Sequence, residues 1–242
     1  MPGANVSFLR AVVFDLDDTL YPERQYVRSG YRAVAEHLRG RADRRSNGRP
    51  GGDLQDPEGW LWNRFLCGRT AGAFDEMNER FHLGLSAAGV RELVEVYRTH
   101  RPDVQPYPGT AELLGRLHEG YRLGLLTDGF LPAQQLKLEV LALERFFDGA
   151  VFTEALGRQA WKPSVEGFEA IRERLDVPHD RCAYVADNPA KDFVAPNGLG
   201  WRTVQFLQPG QFHAGNPPCE GGRPGHVVHD GGELWAALIA GE

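Results

Sequence analysis

The chain has 242 residues, 42% of them hydrophobic, 10% aromatic and 25% charged, a composition that buries a core and excludes disordered and collagen-like chains. At this length it holds one domain with an insert, or two small domains. A net charge of −6 supplies no global basic field, so neither nucleic acid nor an anionic membrane is expected as a partner. The three cysteines, Cys67, Cys182 and Cys219, are odd in number and lack CxxC spacing. Neither a disulfide framework nor a zinc ribbon is therefore expected, and a reducing, cytoplasmic setting is. MPGANVSFLR at the N-terminus carries no apolar signal region, and no run approaches the roughly 18 to 20 apolar residues of a membrane span; a secreted or transmembrane chain is not expected. The basic residues divide into 24 arginines and 3 lysines, which reads as the bias of a GC-rich genome without chemical content.

In chain order, Ala11 to Phe14 is a short apolar run that ends at Asp15, the pattern of a buried parallel strand. About a hundred residues without a strand signal follow. Val27, Tyr31, Val34 and Leu38 stand at helical spacing, and residues 57–67, 72–82 and 86–99 also read as helices. A strand-to-strand crossover needs far fewer residues, so residues 21–105 are expected to form an inserted all-helical domain with residues 102–108 as its returning linker. Within it, residues 39–53 are rich in Arg and Gly and read as a loop.

Residues 110–118 are expected to form an amphipathic helix, stopped by Gly120. Further apolar runs at 122–127, 149–152, 182–186 and 202–206 alternate with helical patterns. Residues 164–175 form one of these, with Val165, Phe168, Ile171 and Leu175 on one face, and a short strand and helix close the chain at 226–240. The alternation predicts an α/β fold: a doubly wound parallel sheet built from residues 1–20 and 106–242, with the helical domain inserted after the first strand. No internal repeat is present.

Open α/β sheets bind ligands beyond the carboxyl ends of their strands, and here those ends are polar. The first run leads into Asp15-Leu16-Asp17-Asp18-Thr19, where Asp15 and Asp17 point to one side while the chain stays extended. The second ends Thr127-Asp128-Gly129, a hydroxyl and backbone N–H groups before a helix entered near Pro132, which suits a phosphate-sized anion. Lys162-Pro163 stands between the third strand and its helix, with Pro163 suited to a first helical turn. The fourth run ends Asp187-Asn188-Pro189-Ala190-Lys191-Asp192. Any one of these residues is explained by helix capping or a solvated loop; acid, hydroxyl, base and acid at four successive strand ends are not. Two carboxylates about 5 Å apart repel by roughly 3 kcal/mol at an effective dielectric near 20, so a cation or protons must sit among Asp15, Asp17 and Asp187. Oxygen donors without His or Cys select a hard ion, Mg²⁺ over Zn²⁺.

In this order and spacing, Asp15-x-Asp17-x-Thr19, Thr127-Asp128-Gly129, Lys162-Pro163 and Asp187-x-x-x-x-Asp192 resemble the four motifs of the haloacid dehalogenase superfamily. The resemblance runs from about residue 10 to 206, and the helical insert resembles that superfamily's first class of cap. It implies that Asp15 is a nucleophile that becomes an aspartyl-phosphate and that Asp17 is the acid for the leaving alcohol and then the base for water. Thr127, Asp128 with its neighbouring backbone, and Lys162 would bind the phosphoryl group. Asp15, Asp187 and Asp17 through its backbone carbonyl would hold Mg²⁺, with Asp192 supporting them. Asp17 favours a phosphatase over a dehalogenase, since an alcohol leaving group needs a proton and a halide does not. Three positions depart from the family pattern: Ala186 stands for a commoner Gly, Asp128 for a commoner Asn, and no second proline follows Lys162-Pro163.

The function so implied is a Mg²⁺-dependent phosphomonoesterase for a small phosphorylated metabolite, a sugar phosphate or nucleoside monophosphate. A phosphosugar mutase or a catalytically silent regulatory protein on the same fold are the alternatives. Oligomeric state is open. In the insert, Tyr26, Arg28, Tyr31, Trp60, Trp62 and Arg64 offer sugar or base contacts, though aromatics at helical spacing also read as core. Cys219, His226 and His229 match no zinc spacing.

Overall fold

Six apolar segments pair into one parallel sheet in the computed structural model, which describes residues 9–45, 56–213 and 215–239. The strands are β1 (Ala11–Phe14), β2 (Arg122–Thr127), β3 (Gly149–Phe152), β4 (Cys182–Ala186), β5 (Arg202–Phe206) and β6 (His226–Val228). The helices are α1 (Glu23–Arg45), α2 (Pro57–Leu66), α3 (Ala73–Arg80), α4 (Ala87–Thr99), α5 (Thr110–His118), α6 (Ala133–Leu141), α7 (Glu166–Leu175), α8 (Val194–Gly198) and α9 (Gly231–Ile239). Strand order is β3-β2-β1-β4-β5-β6. Every pairing is parallel, with Ala11 opposite both Arg122 and Cys182. All four residues of β1 and all five of β4 are buried, as expected of strands covered on both faces.

The chain winds from β1 to one side through β2 and β3, then returns to β4 and winds to the other. The two directions part between β1 and β4, and ligands of doubly wound sheets bind at the carboxyl ends of such a pair. The amide of Asp15 continues the ladder, donating to the Val185 carbonyl at 3.0 Å. On one face of the sheet, Val13, Leu126 and Tyr184 pack with Phe168, Ile171 and Leu175 of α7 and with Phe193 and Trp201. Gly124 permits that approach, because a Cβ there would stand 3.0 Å from both Ile171 and Leu175.

The described chain divides into two compact units, Met1–Arg24 with Val104–Glu242, and Gln25–Asp103. The second is all helical, and Val27, Tyr31, Val34 and Leu38 are buried in its core with Leu61, Phe65, Met77 and Leu93. Asp56 caps α2 by accepting from the Gly59 amide at 2.9 Å, with Pro57 in the first turn. Ser86 caps α4 through Gly89.

Three local expectations are corrected. Residues 39–45 are helical, continuing α1: Arg and Ala are good helix formers, and Arg41 pairs with Glu92 of α4. The remainder of the Arg/Gly segment, residues 46–53, lies outside the described residues. Val165 is 48% exposed, because it occupies the cap position of α7 and not its apolar stripe. Pro163 precedes α7 by three residues and so is not in its first turn. No helix among the described residues is long and apolar enough to cross a membrane.

Candidate active site

Asp15 follows β1 directly, and Lys162 reaches it from the loop between β3 and α7. Lys162 Nζ is 2.5 Å from Asp15 Oδ1 and 2.7 Å from Asp192 Oδ1, and it bonds the Tyr184 hydroxyl at 3.0 Å. Burial pushes the Asp15 carboxyl up to about 6, even though the Lys162 ammonium pulls it down; Asp192 adds to the push. For Lys162, the cost of burying the ammonium is outweighed by Asp15 and Asp192, which hold its pKa well above the ordinary value. The lysine therefore stays charged, and Asp15 is an acid of unusually high pKa beside it.

Asp17 is served by a different lysine. Lys137 of α6 places Nζ 2.8 and 3.0 Å from the two carboxylate oxygens. Gln134, one turn earlier on the same helix, donates to Oδ2 at 2.8 Å, and the Tyr21 hydroxyl donates to Oδ1. Burial alone would raise the Asp17 carboxyl. The Lys137 charge and the bonds from Lys137, Tyr21 and Gln134 hold it below its ordinary value instead. Asp18, with φ of +56°, turns its carboxylate away to accept from the amides of Glu23 (2.8 Å) and Phe212 (2.6 Å). It thereby ties the turn after β1 to the segment after β5, and Asp tolerates that left-handed conformation better than most residues.

Beyond β2, Thr127 is buried, and its hydroxyl lies 3.4 Å from the Asp128 carbonyl. The Asp128 side chain accepts from the Lys162 amide (3.2 and 3.3 Å) and the Thr153 hydroxyl (2.8 Å), and Lys191 Nζ lies 3.5 Å away. Donors surround it, which suits a carboxylate where an Asn is commoner. Its side chain thus anchors the Lys162 loop, and any phosphate contact is left to its backbone. Gly129 has φ of +134°, and a Cβ there would fall 2.2 Å from Gln134 Nε2. Glycine is what lets Gln134 pass to Asp17 while also donating to the Asp128 carbonyl at 2.6 Å.

After β4, Asp187 and Asp192 are both buried. Asp192 Oδ2 accepts from the Asn188 amide at 3.0 Å, closing the turn that brings it back to Lys162. Burial, then Asp192 and Asp15, push Asp187 well above the ordinary carboxylate range. Asp187 Oδ2 is buried with no hydrogen-bond partner among the described residues. Asp15, Asp187 and Asp192 can each bring a carboxylate oxygen within 4.8 Å of the others. An orphaned carboxylate oxygen among converging carboxylates fits a hard divalent cation.

Of the residues singled out at the strand ends, Asp15, Asp17, Thr127, Asp128, Lys162 and Asp192 are linked by hydrogen bonds and ion pairs on the sheet unit, and the Asp187 carboxylate lies beside Asp15 and Asp192. Lys137, Gln134, Tyr21 and Tyr184 were not legible as site residues. One signal did exist: the chain's only lysines are Lys137, Lys162 and Lys191, and each faces an aspartate of this site. In the helical unit, Tyr26 and Tyr31 are core residues. Arg64 is buried, bonding the Arg69 and Ala71 carbonyls and pairing with Glu76 at 2.7 Å. Trp60 meets Phe81 edge-on, and Trp62 stacks on Phe65 with the Arg28 guanidinium 5.4 Å from its ring centre.

The family model described as haloacid dehalogenase-like hydrolase matches residues 9–200. A glyceraldehyde 3-phosphate phosphatase of Methanopyrus kandleri is 31% identical over 208 residues, covering 82% of this chain and 84% of its own. The pyrimidine 5'-nucleotidase YjjG of Escherichia coli is 27% identical over 136 residues, 54% of this chain and 56% of its own. Among solved structures, the HAD-hydrolase YfnB of Bacillus subtilis superposes with a TM-score of 0.64 at 19% identity, covering 96% of this chain and 99% of its own.

Proposed function

The chain belongs to the haloacid dehalogenase-like hydrolases, and from that premise we propose that it hydrolyses the phosphate monoester of a small metabolite, a sugar phosphate or nucleoside monophosphate, by way of an aspartyl-phosphate. The observation that carries this reading is the pair of carboxylates after β1, Asp15 against the Lys162 ammonium and Asp17 against that of Lys137. Each carboxylate faces its own ammonium, so each is held separately for its own role. The names of the phosphatase relatives support a small phosphorylated substrate.

Lys137 favours the ionised form of Asp17, so the proton enters with the phosphate monoester as its monoanion: Asp17 takes it up, an Asp15 oxygen attacks phosphorus, the bond to the leaving alcohol breaks, and the departing oxygen takes that proton from Asp17. Asp17, now ionised, takes a proton from water, whose oxygen attacks the phosphorus. The bond from phosphorus to Asp15 then breaks, restoring the carboxylate and releasing inorganic phosphate. Lys162 compensates the charge on Asp15 and on the transferring group, and Thr127 with the backbone at 128–129 binds the phosphoryl oxygens. Asp15, Asp187 and the Asp17 backbone carbonyl would hold Mg²⁺, with Asp192 behind them, and the bound ion would neutralise phosphoryl charge.

Phosphate release from a panel of sugar phosphates and nucleoside monophosphates tests the reading, with Mg²⁺, with a chelator, and with Asp15→Asn. Release that requires both the metal and Asp15 is expected. A folded protein silent on the whole panel would overturn it.

A further inference from the structure

Lys137 lies on α6 beside Gln134, and both are buried polar residues on a helix that otherwise buries Ala133, Leu138 and Leu141. An ammonium is not taken out of water there for packing, since Leu or Met would fill the space without the desolvation cost. Its Nζ sits between the two oxygens of Asp17, at 2.8 and 3.0 Å, with 4% of the Lys137 side chain exposed. Gln134 and Tyr21 each take one of the same oxygens. The partners stand 120 residues apart in sequence, so the contact exists only in the folded protein.

We propose that Lys137 is a positioning residue for Asp17, holding its carboxylate in place for both halves of the reaction. This rests on the phosphatase reading above, in which Asp17 must meet first the leaving oxygen and then the attacking water. A carboxylate on the irregular turn after β1 has two free torsions, and acid–base work requires hydrogen-bond reach to the right atom. A single ammonium straddling both oxygens fixes the carboxylate plane, with Tyr21 and Gln134 holding one oxygen each. A compact ammonium suits this position, and a guanidinium would keep the charge without the same fit.

The test uses the full chain with Mg²⁺ and two substrates, glycerol 3-phosphate, whose alkoxide needs a proton, and 2,4-dinitrophenyl phosphate, whose phenolate does not. For Lys137→Met, kcat on glycerol 3-phosphate is expected to fall by at least about tenfold with KM within about threefold. With dinitrophenyl phosphate, a rapid burst of one phenolate per site should persist before slow steady release. Lys137→Arg, which keeps the charge, should recover part of the loss and carries the test alone if the methionine variant does not fold. In an Asp17→Asn background, Lys137→Met should add no further loss, since its effect passes through Asp17. Wild-type kcat in Lys137→Met, an equal loss of burst and steady rate, or full additivity with Asp17→Asn would each overturn the proposal while leaving the phosphatase reading intact. No phosphate release from any substrate by the wild-type protein would instead overturn the phosphatase reading, and this proposal with it.

Discussion

Lys162 Nζ and Asp192 Oδ1 lie 2.7 Å apart with 1% and 0% of their side chains exposed, so the lysine that faces the nucleophile is held from behind by a fully buried carboxylate. Removing Asp192 leaves Lys162 with Asp15 alone at 2.5 Å and takes the acceptor from the Asn188 amide. Asp192→Ala is expected to cost about 1–3 kcal/mol, read as a lowered midpoint in denaturant unfolding. An unchanged midpoint would mean that Lys162 finds its compensation elsewhere.

Asp17→Asn should lower turnover of an alkyl phosphate by about 10² to 10⁴ while still allowing Asp15 to be phosphorylated by a substrate with a good leaving group. Mass spectrometry after a rapid quench would show the phosphoenzyme accumulating. Unchanged turnover on the alkyl ester would refute the role given to Asp17.

Gly129→Ala places a methyl 2.2 Å from the Gln134 amide at a φ of +134°. The backbone strain is expected to cost about 1–3 kcal/mol, and displacement of Gln134 from Asp17 should lower kcat as well. A variant with native stability and kcat would show that the loop re-forms without that glycine.

Metal should stabilise this protein in a pH-dependent way. Burial, partly offset by Lys162, raises Asp15 from 3.8 to about 6. The native state therefore binds more protons than the unfolded one between those values, and stability falls as pH rises through them. A divalent cation favours the ionised carboxylates and reverses the penalty. Added Mg²⁺ is expected to raise Tm more at pH 7.5 than at pH 5, and chelation to remove the difference. An equal shift at both values would mean that the ion binds away from these groups.

Thiol reactivity separates the three cysteines. Burial pushes the Cys182 thiol up to about 12, whereas Cys67 and Cys219 are exposed. Thiolate is the reactive form, so alkylation of native protein at pH 8 should add two labels, and alkylation in denaturant three. Rapid native labelling of Cys182 would mean that β4 opens on the labelling timescale.

The sheet was legible because parallel strands buried on both faces read as unbroken apolar runs, and the polar residue ending each run marks the face where ligands bind. Asp15, Thr127, Lys162 and Asp187 could be read in this way one strand at a time. Val27, Tyr31, Val34 and Leu38 announced the core stripe of α1 by their spacing alone, since one helical face must be buried somewhere. Val165 misled because periodicity carries no sign of where the first turn begins.

Which strands lie side by side, and which helix faces a strand tip, is a property of the folded chain. Residue types and order along the sequence were enough to determine an α/β core with a helical insert, a hydrolase's acidic motifs and the two carboxylates after β1. Only the tertiary structure decided that Lys137 and Gln134 of α6 grip Asp17, that Tyr184 turns its hydroxyl from an apolar strand toward Lys162, and that Asp128 is spent on the Lys162 loop. Local pattern reports a residue's own exposure and conformation. A charge finds its counter-charge across 120 residues only when burial removes the water that would otherwise have served them both.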